Sequence, residues 1–195
     1  MPSFDQLLNF VDFLQKFRKV ERGVLVKGED RNENDGEHSY SLAMLAWYIN
    51  ATYKLDLNNE KLFKYALAHD LVETYAGDVY FHKPDDKKHE REDAASRRIA
   101  EEFREFPELH QTIGGYENKA DKEAKFIYAL DKIEPVLSIY LDGGRTWRRD
   151  SISLEMLDTM KMPKVAVDHA VAEIFKQLIE KLSQEHNRLF TSSQT

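Results

Sequence analysis

Residues 62–74 read LFKYALAHDLVET, with Leu62, Phe63, Ala66 and Leu67 recurring at the three- and four-residue spacing of a helix. Asn58 and Asn59 precede the run as capping residues, so the pattern predicts a helix that starts there and runs out near Gly77. Its end carries the information. His69 and Asp70 follow directly on the apolar run, and ionisable side chains that face a core are costly unless something pairs or ligates them. The pair therefore calls for partners from elsewhere in the chain.

Two other stretches have the same character. Upstream, residues 37–47 read EHSYSLAMLAW, a helical pattern placing His38, Leu42, Leu45 and Ile49 on one side. Downstream, residues 124–135 read AKFIYALDKIEP, where Asp131 interrupts an equally apolar run. Three helices thus each deliver a ligand-type residue to an inward face. Imidazole nitrogen and carboxylate oxygen together suit a divalent transition metal. Two histidines and two aspartates leave coordination positions open, which marks a catalytic rather than a closed structural site. Hydrolysis is the natural chemistry, and Glu73, one helical turn after His69, is placed for proton transfer. Pro135 cannot donate to the carbonyl of Asp131, so a kink is expected beside that ligand.

The rest of the 195 residues agrees with a helical protein. At 42% hydrophobic the chain can bury one sizeable core, so a single domain over 1–195 is expected. The motif core spans about 20–140, and helices over 151–187 pack on it. Eight glycines and five prolines punctuate the chain. The first helix opens with Ser3 and Gln6 as a capping box and places Phe4, Leu7, Leu8, Val11, Leu14 and Phe17 on one side. Residues 21–36, ERGVLVKGEDRNENDG, read as a loop or short extended excursion. A loop containing Pro84 precedes a charged helix over 86–106 with a thin apolar face at Ala94, Ala95, Ile99 and Phe103. A long helix from Asp121 to Leu141 turns Phe126, Ile127, Leu130 and Leu137 inward and stops at Gly143-Gly144. Pro163 divides the remainder into a short helix and a long one through Val167, Ile174, Leu178 and Leu182. The final TSSQT reads as a frayed tail.

Composition narrows the function classes. With no cysteine there is no disulfide, thiolate zinc site or cysteine nucleophile, so any metal rests on imidazole and carboxylate. The balance of 28 basic against 35 acidic residues, net −7, argues against a nucleic-acid polymer as partner. No run of eighteen apolar residues and no signal-like start are visible, so a cytoplasmic protein without membrane contact is expected. His82, His89, His110, His169 and His186 lie in polar surroundings and read as surface residues.

The ordered set His38, His69-Asp70 and Asp131 resembles the signature of the HD-domain metal-dependent phosphohydrolase superfamily. More narrowly, EHS at 37–39, HDLVETYAGD at 69–78 and ALDKIEP at 129–135 look like the small bacterial 5'-deoxynucleotidase-like (YfbR-like) branch. The resemblance implies an all-α, single-domain helical bundle, usually a homodimer. It also implies one divalent ion (Mn, Co, Zn, Ni, Fe or Mg) on His38, His69, Asp70 and Asp131, and release of phosphate from (deoxy)nucleoside 5'-monophosphates. In that family the acid matching Asp78 serves catalysis beside Glu73. An arginine before the first histidine meets the substrate phosphate, here Arg22, although Gly23 and Val24 stand where an aromatic residue often follows. Lys27 and Arg31 in the same stretch are alternatives, and GGRTWRRD at 143–150 is a further candidate for substrate or subunit contact.

Other readings are a different phosphate ester as substrate (phosphodiester, triphosphate or alarmone) and a non-catalytic nucleotide-binding HD module. Alarmone hydrolases of this type carry adjacent Glu-Asp after the HD helix, whereas Glu73-Thr74 stands here. A non-catalytic module would be signalled by loss of Glu73 or Asp78, and both are present.

Overall fold

The structure, a computed structural model, describes residues 1–78 and 86–191. The expected loop at Pro84, His82 and the last four residues of the tail lie outside the described residues. In chain order the elements are helix α1 (Phe4–Phe17), strands β1 (Glu21–Leu25) and β2 (Asn32–Asn34), and helices α2 (Asp35–Tyr53), α3 (Asn59–Ala68), α4 (Glu73–Ala76), α5 (Lys88–Glu102), α6 (Pro107–Glu117), α7 (Lys122–Leu141), α8 (Arg145–Arg149), α9 (Leu154–Val165), α10 (His169–Gln184) and α11 (His186–Phe190). The predicted all-α bundle is observed, with one antiparallel hairpin added: β1 pairs with β2 over the stretch read as a loop or extended excursion.

Local chemistry sets the helix starts. The side chains of Ser3, Asn34, Asn58, Asp121, Ser153 and Asp168 each accept a backbone N–H three residues on. Ser3–Gln6 and Asn34–Glu37 close reciprocal capping boxes. Helix α7 is the centre of the bundle. It packs against α2, α3, α9 and α10 and buries Phe126, Ile127, Leu130 and Ile133 completely. The helix runs through Pro135 to Leu141. After it, Gly144 adopts φ +78°, and a Cβ there would meet the Leu189 carbonyl oxygen at 2.2 Å, so only glycine fits.

Several expectations need correction. In α1 the predicted stripe, Phe17 apart, points outward: Phe4, Leu7, Leu8 and Val11 are exposed by 72, 53, 49 and 44%, and Leu14 is exposed too. The buried face is aromatic, Phe10, Phe13 and Phe17. Phe13 meets Phe103 and Tyr75 at ring separations of 5.0 and 5.8 Å, and Phe10 meets Phe103 edge-on at 5.3 Å. Larger rings at the same helical spacing won the second apolar cluster over smaller aliphatics. Ala94, Leu67 and Val167 are likewise exposed.

Pro163 does not divide the C-terminal region. It lies inside α9 on the exposed side; α9 ends two residues later at Val165, and Asp168 then caps α10 through Val171. The buried stripe of α10 is Val171, Phe175, Leu178 and Leu182. Nor does α3 continue to Gly77: it ends at Ala68 and the chain tightens through i→i−3 bonds from Leu71, Glu73 and Thr74 before the short helix α4. The segment 143–150 is a helix after two glycines rather than a loop. Its Trp147 is buried and stacks on Phe190 at 4.8 Å. Arg148 donates to the carbonyls of Gly143, Arg188 and Leu189, and Arg149 to that of Gly23, so the arginines clamp the hairpin and the chain end.

Truncating the central ring tests this architecture. Phe126→Ala should lower the unfolding free energy by about 3–5 kcal/mol, and Asn58→Ala by about 1 kcal/mol, read as urea midpoint shifts at constant slope. A Phe126→Ala loss below about 1 kcal/mol would place the core elsewhere.

Candidate metal centre and active-site cavity

The capping box at Asn34 fixes the start of α2, which sets His38 inside the bundle with no exposure. His69 and Asp70 come from the turn that ends α3, and Asp131 from the middle of α7. Because α2 and α3 both pack on α7, the four residues converge: each offers a ligand atom, all within 4.8 Å of one another.

The proton positions follow from the partners. His69 Nδ1 lies 2.9 Å from the Ala66 carbonyl, which can only accept, so Nδ1 carries the proton and Nε2 of the neutral ring is a bare lone pair. That Nε2 is buried and, among the described residues, has no hydrogen bond, yet it faces Asp70 Oδ2 at 2.9 Å and Asp131 Oδ1 at 3.8 Å. Three lone-pair donors thus point at one another without a proton between them, which a cation resolves. His38 gives the complementary picture. Its Nδ1 stands 3.0 Å from Glu134 Oε2 and its Nε2 3.2 Å from Asp131 Oδ1. Burial and Arg22 depress its pKa, but Asp131 and Glu134 outweigh them and raise it to about 9. A proton then occupies the place a cation would take, while the Nδ1–Glu134 bond orients the ring. The donor set of two imidazoles and two carboxylates therefore fits a divalent metal.

The carboxylates are held apart in charge state. Burial pushes Asp131 up, but the adjacent Lys132 ammonium and His38 hold it well below the usual range. Tyr116 donates to its second oxygen at 2.9 Å, and Lys132 pairs with that same atom. Asp70 is likewise held low: burial is outweighed by the Arg22 guanidinium that donates to it. Glu73 goes the other way. It is buried, and burial together with the charges of Asp70 and Asp78 raises its carboxyl to about 11, so it is a neutral acid at pH 7.

Arg22, on β1, donates to Asp35 at 3.0 Å and Asp70 at 2.7 Å, and its Nε stands 3.2 Å from Glu33. The structure thus brings together Arg22, His38, His69, Asp70, Glu73, Asp78 and Asp131. All but His38 line one cavity of about 590 Å³. Lys27 and Arg31 do not line it; Arg31 pairs with Glu29 and Glu37 on the surface. Among the remaining histidines, His89 reaches the rim while exposed, and His110, His169 and His186 are exposed surface residues.

Sequence reasoning missed Glu33, Asp35, Tyr116, Lys132, Glu134 and Lys161. Glu134 carried a signal, since it follows Asp131 by one helical turn in an apolar run. Glu33 and Asp35 carried none, because they flank the hairpin in a stretch that looks uniformly polar. Burial and Glu134 raise Glu33 to about 7, and burial and Asp70 raise Asp35 to about 7. The inner wall of the cavity is apolar, with Val136, Ile139, Trp147, Ile152 and Leu157.

Comparison with known proteins places this arrangement. The mouse (Mus musculus) 5'-deoxynucleotidase HDDC2 is 30% identical over 136 residues, 67% of this chain and 67% of that protein. The human (Homo sapiens) protein of the same name is 31% identical over 136 residues, 67% of this chain and 65% of that one. The matches therefore span about two thirds of the relatives' length. A crystal structure from Magnetospirillum magnetotacticum, named a predicted metal-dependent phosphohydrolase, superposes with a TM-score of 0.80 at 25% identity, over 95% of this chain and 98% of that one. A family model described as HD domain matches residues 14–187. With the helical bundle, the His38, His69-Asp70, Asp131 cluster and that match in agreement, this chain belongs to the HD domain family.

Proposed function

We propose that this chain is a homodimeric phosphohydrolase that holds one divalent ion on His38, His69, Asp70 and Asp131 and releases phosphate from deoxyribonucleoside 5'-monophosphates. The observation that carries the reading is the unprotonated His69 Nε2 facing two carboxylates in a buried cluster that opens on a cavity. The names of the mouse and human relatives support the substrate class, and the Magnetospirillum structure supports metal dependence.

When bound, the ion supplies Lewis acidity toward the phosphoryl group and the attacking water. The protein does the rest. Arg22 fixes Asp70 by a charge-assisted hydrogen bond and borders the space for the phosphate. Water adds its oxygen to phosphorus and the bond to the 5' oxygen breaks. Glu73, neutral in its buried site, gives its proton to that leaving oxygen, and Asp78 on the same cavity wall takes the proton of the water. The apolar wall at Val136, Ile139 and Leu157 excludes bulk water and receives the sugar and base. For the assembly, Tyr40, Met44, Trp47 and Tyr48 on α2 and Leu67 on α3 are exposed together with the outer stripe of α1. That much apolar surface is what an isologous pair of copies would cover.

Metal-stripped protein given manganese, cobalt, nickel, iron, zinc or magnesium should release phosphate from deoxynucleoside 5'-monophosphates with at least one ion and faster than from ribonucleotides. Silence across that panel would overturn the substrate class. Glu73→Gln should keep its metal content by elemental analysis while kcat falls by about 10²–10⁴; unimpaired turnover would remove Glu73 from the reaction. In sedimentation equilibrium the chain should run at twice its 22.8 kDa mass, and Trp47→Glu should shift it toward monomer. A wild-type monomer at micromolar concentration would contradict the dimer.

A further inference from the structure

Asp131 divides its two carboxylate oxygens between different partners. Oδ1 stands 3.2 Å from His38 Nε2 and 3.8 Å from His69 Nε2, inside the ligand cluster. Oδ2 accepts the Tyr116 hydroxyl at 2.9 Å and pairs with the Lys132 ammonium. A phenol keeps its proton at neutral pH and an ionised carboxylate only accepts, so the direction of the Tyr116 bond is fixed. The division has a consequence for a bound cation. A carboxylate can ligate through one oxygen or through both, and each oxygen engaged fills a coordination position.

Tyr116 comes from α6, a helix that carries none of the four ligands. That helix packs on both α3 and α7, and its approach to α3 is close: a Cβ on Gly115 would meet the Tyr65 hydroxyl at 2.9 Å. So seated, Tyr116 is buried, meets the His69 imidazole in a T-shaped contact with centroids 5.3 Å apart, and sets its hydroxyl on Asp131. One side chain thus touches two of the four ligands. Phenylalanine would give the same packing against His69. The hydroxyl is what tyrosine adds, and it goes to the ligand oxygen that faces neither histidine. Lys132 is braced beside it, with Nζ 5.0 Å from the centre of the Tyr128 ring.

We propose that Tyr116 is a positioning residue of the metal centre. Its hydroxyl, with Lys132, holds Oδ2 so that Asp131 presents Oδ1 alone to the ion and a coordination position stays open to the substrate. The proposal rests on the metal reading of the cluster and extends the site to α6.

The test is cobalt(II) titration of metal-stripped wild type and Tyr116→Phe, which keeps the ring and removes only the hydroxyl. Cobalt affinity should weaken by about 10–100-fold in the variant. The visible absorption of the cobalt-loaded variant should differ in intensity from wild type, because a released Oδ2 changes the coordination number. The metal-free variant should lose no more than about 4 °C in Tm. At saturating metal, KM for a deoxynucleoside monophosphate should stay within about twofold while kcat falls about tenfold. Tyr65→Phe is the control: it removes a comparable bond, 3.1 Å long, from Tyr65 to Asp121 at the start of α7, and should move neither affinity nor spectrum. Wild-type affinity and spectrum in Tyr116→Phe would overturn the positioning role and leave the metal reading intact. An equal loss in Tyr65→Phe would also overturn it, as a general loosening of the bundle. Weakened affinity and an altered spectrum in Tyr116→Phe alone, in a protein inactive on every nucleotide, would uphold the role and sink only the substrate class. Stripped wild-type protein that takes up no cobalt would overturn the role and the metal reading together.

Discussion

An imidazole nitrogen with no proton, buried against two carboxylates, is the constraint around which the rest of the bundle is arranged. His69 Nδ1 is committed to the Ala66 carbonyl, so Nε2 must find a cation or remain unsatisfied. Helices α2, α3 and α7 pack so that His38, Asp70 and Asp131 meet it at one point. An arrangement of this kind opposes folding on hydrophobic grounds alone. It persists because the surrounding apolar contacts of Leu42, Leu62, Ala66, Phe126, Ile127 and Leu130 fix the three helices independently.

Around that point the protein distributes charge unevenly. Asp70 and Asp131 are held ionised by Arg22, His38 and Lys132, whereas Glu73, Glu33 and Asp35 are pushed toward their neutral forms by burial and by neighbouring carboxylates, Asp70 and Asp78 for Glu73 and Asp35, and Glu134 for Glu33. Ligand-type carboxylates therefore stay available to a metal, and the acid nearest them stays protonated. The β-hairpin serves the same end. It carries Arg22 and Glu33 and runs into Asp35, so three members of the charge network enter from one short sheet braced by Thr146 and Arg149 of α8.

Much of this was legible in the residues. The His-Asp pair at the end of an apolar run, with His38 and Asp131 on equally apolar helices, indicated convergence because ionisable groups on three inward faces are costly unless they meet one another or share an ion. The capping asparagine at position 58 and the long helix from about Asp121 to Leu141 were marked correctly. The rest depended on competition that no local pattern reports. On α1, aromatic and aliphatic residues both recur at helical spacing, and only the partner surface of Phe103, Phe106 and Tyr75 decides which face turns in. Pro163 looks like a breaker, yet it is tolerated on the exposed side of α9. Arg22 was legible as a cation at the site, but its carboxylate partners were not, since polar hairpins resemble loops. Lys161 lies 30 residues beyond Asp131 in a mixed segment, and tertiary packing alone brings it to the cavity.

The most direct test of this account is metal uptake by the stripped protein, followed by manganese titration calorimetry with Tm measured at each end point. The account predicts one ion per chain, a higher Tm for the loaded protein, and loss of both effects in His69→Ala, whose imidazole supplies the unsatisfied nitrogen. Wild-type protein that takes up no ion, or a His69→Ala variant that binds and stabilises as the wild type does, would contradict it.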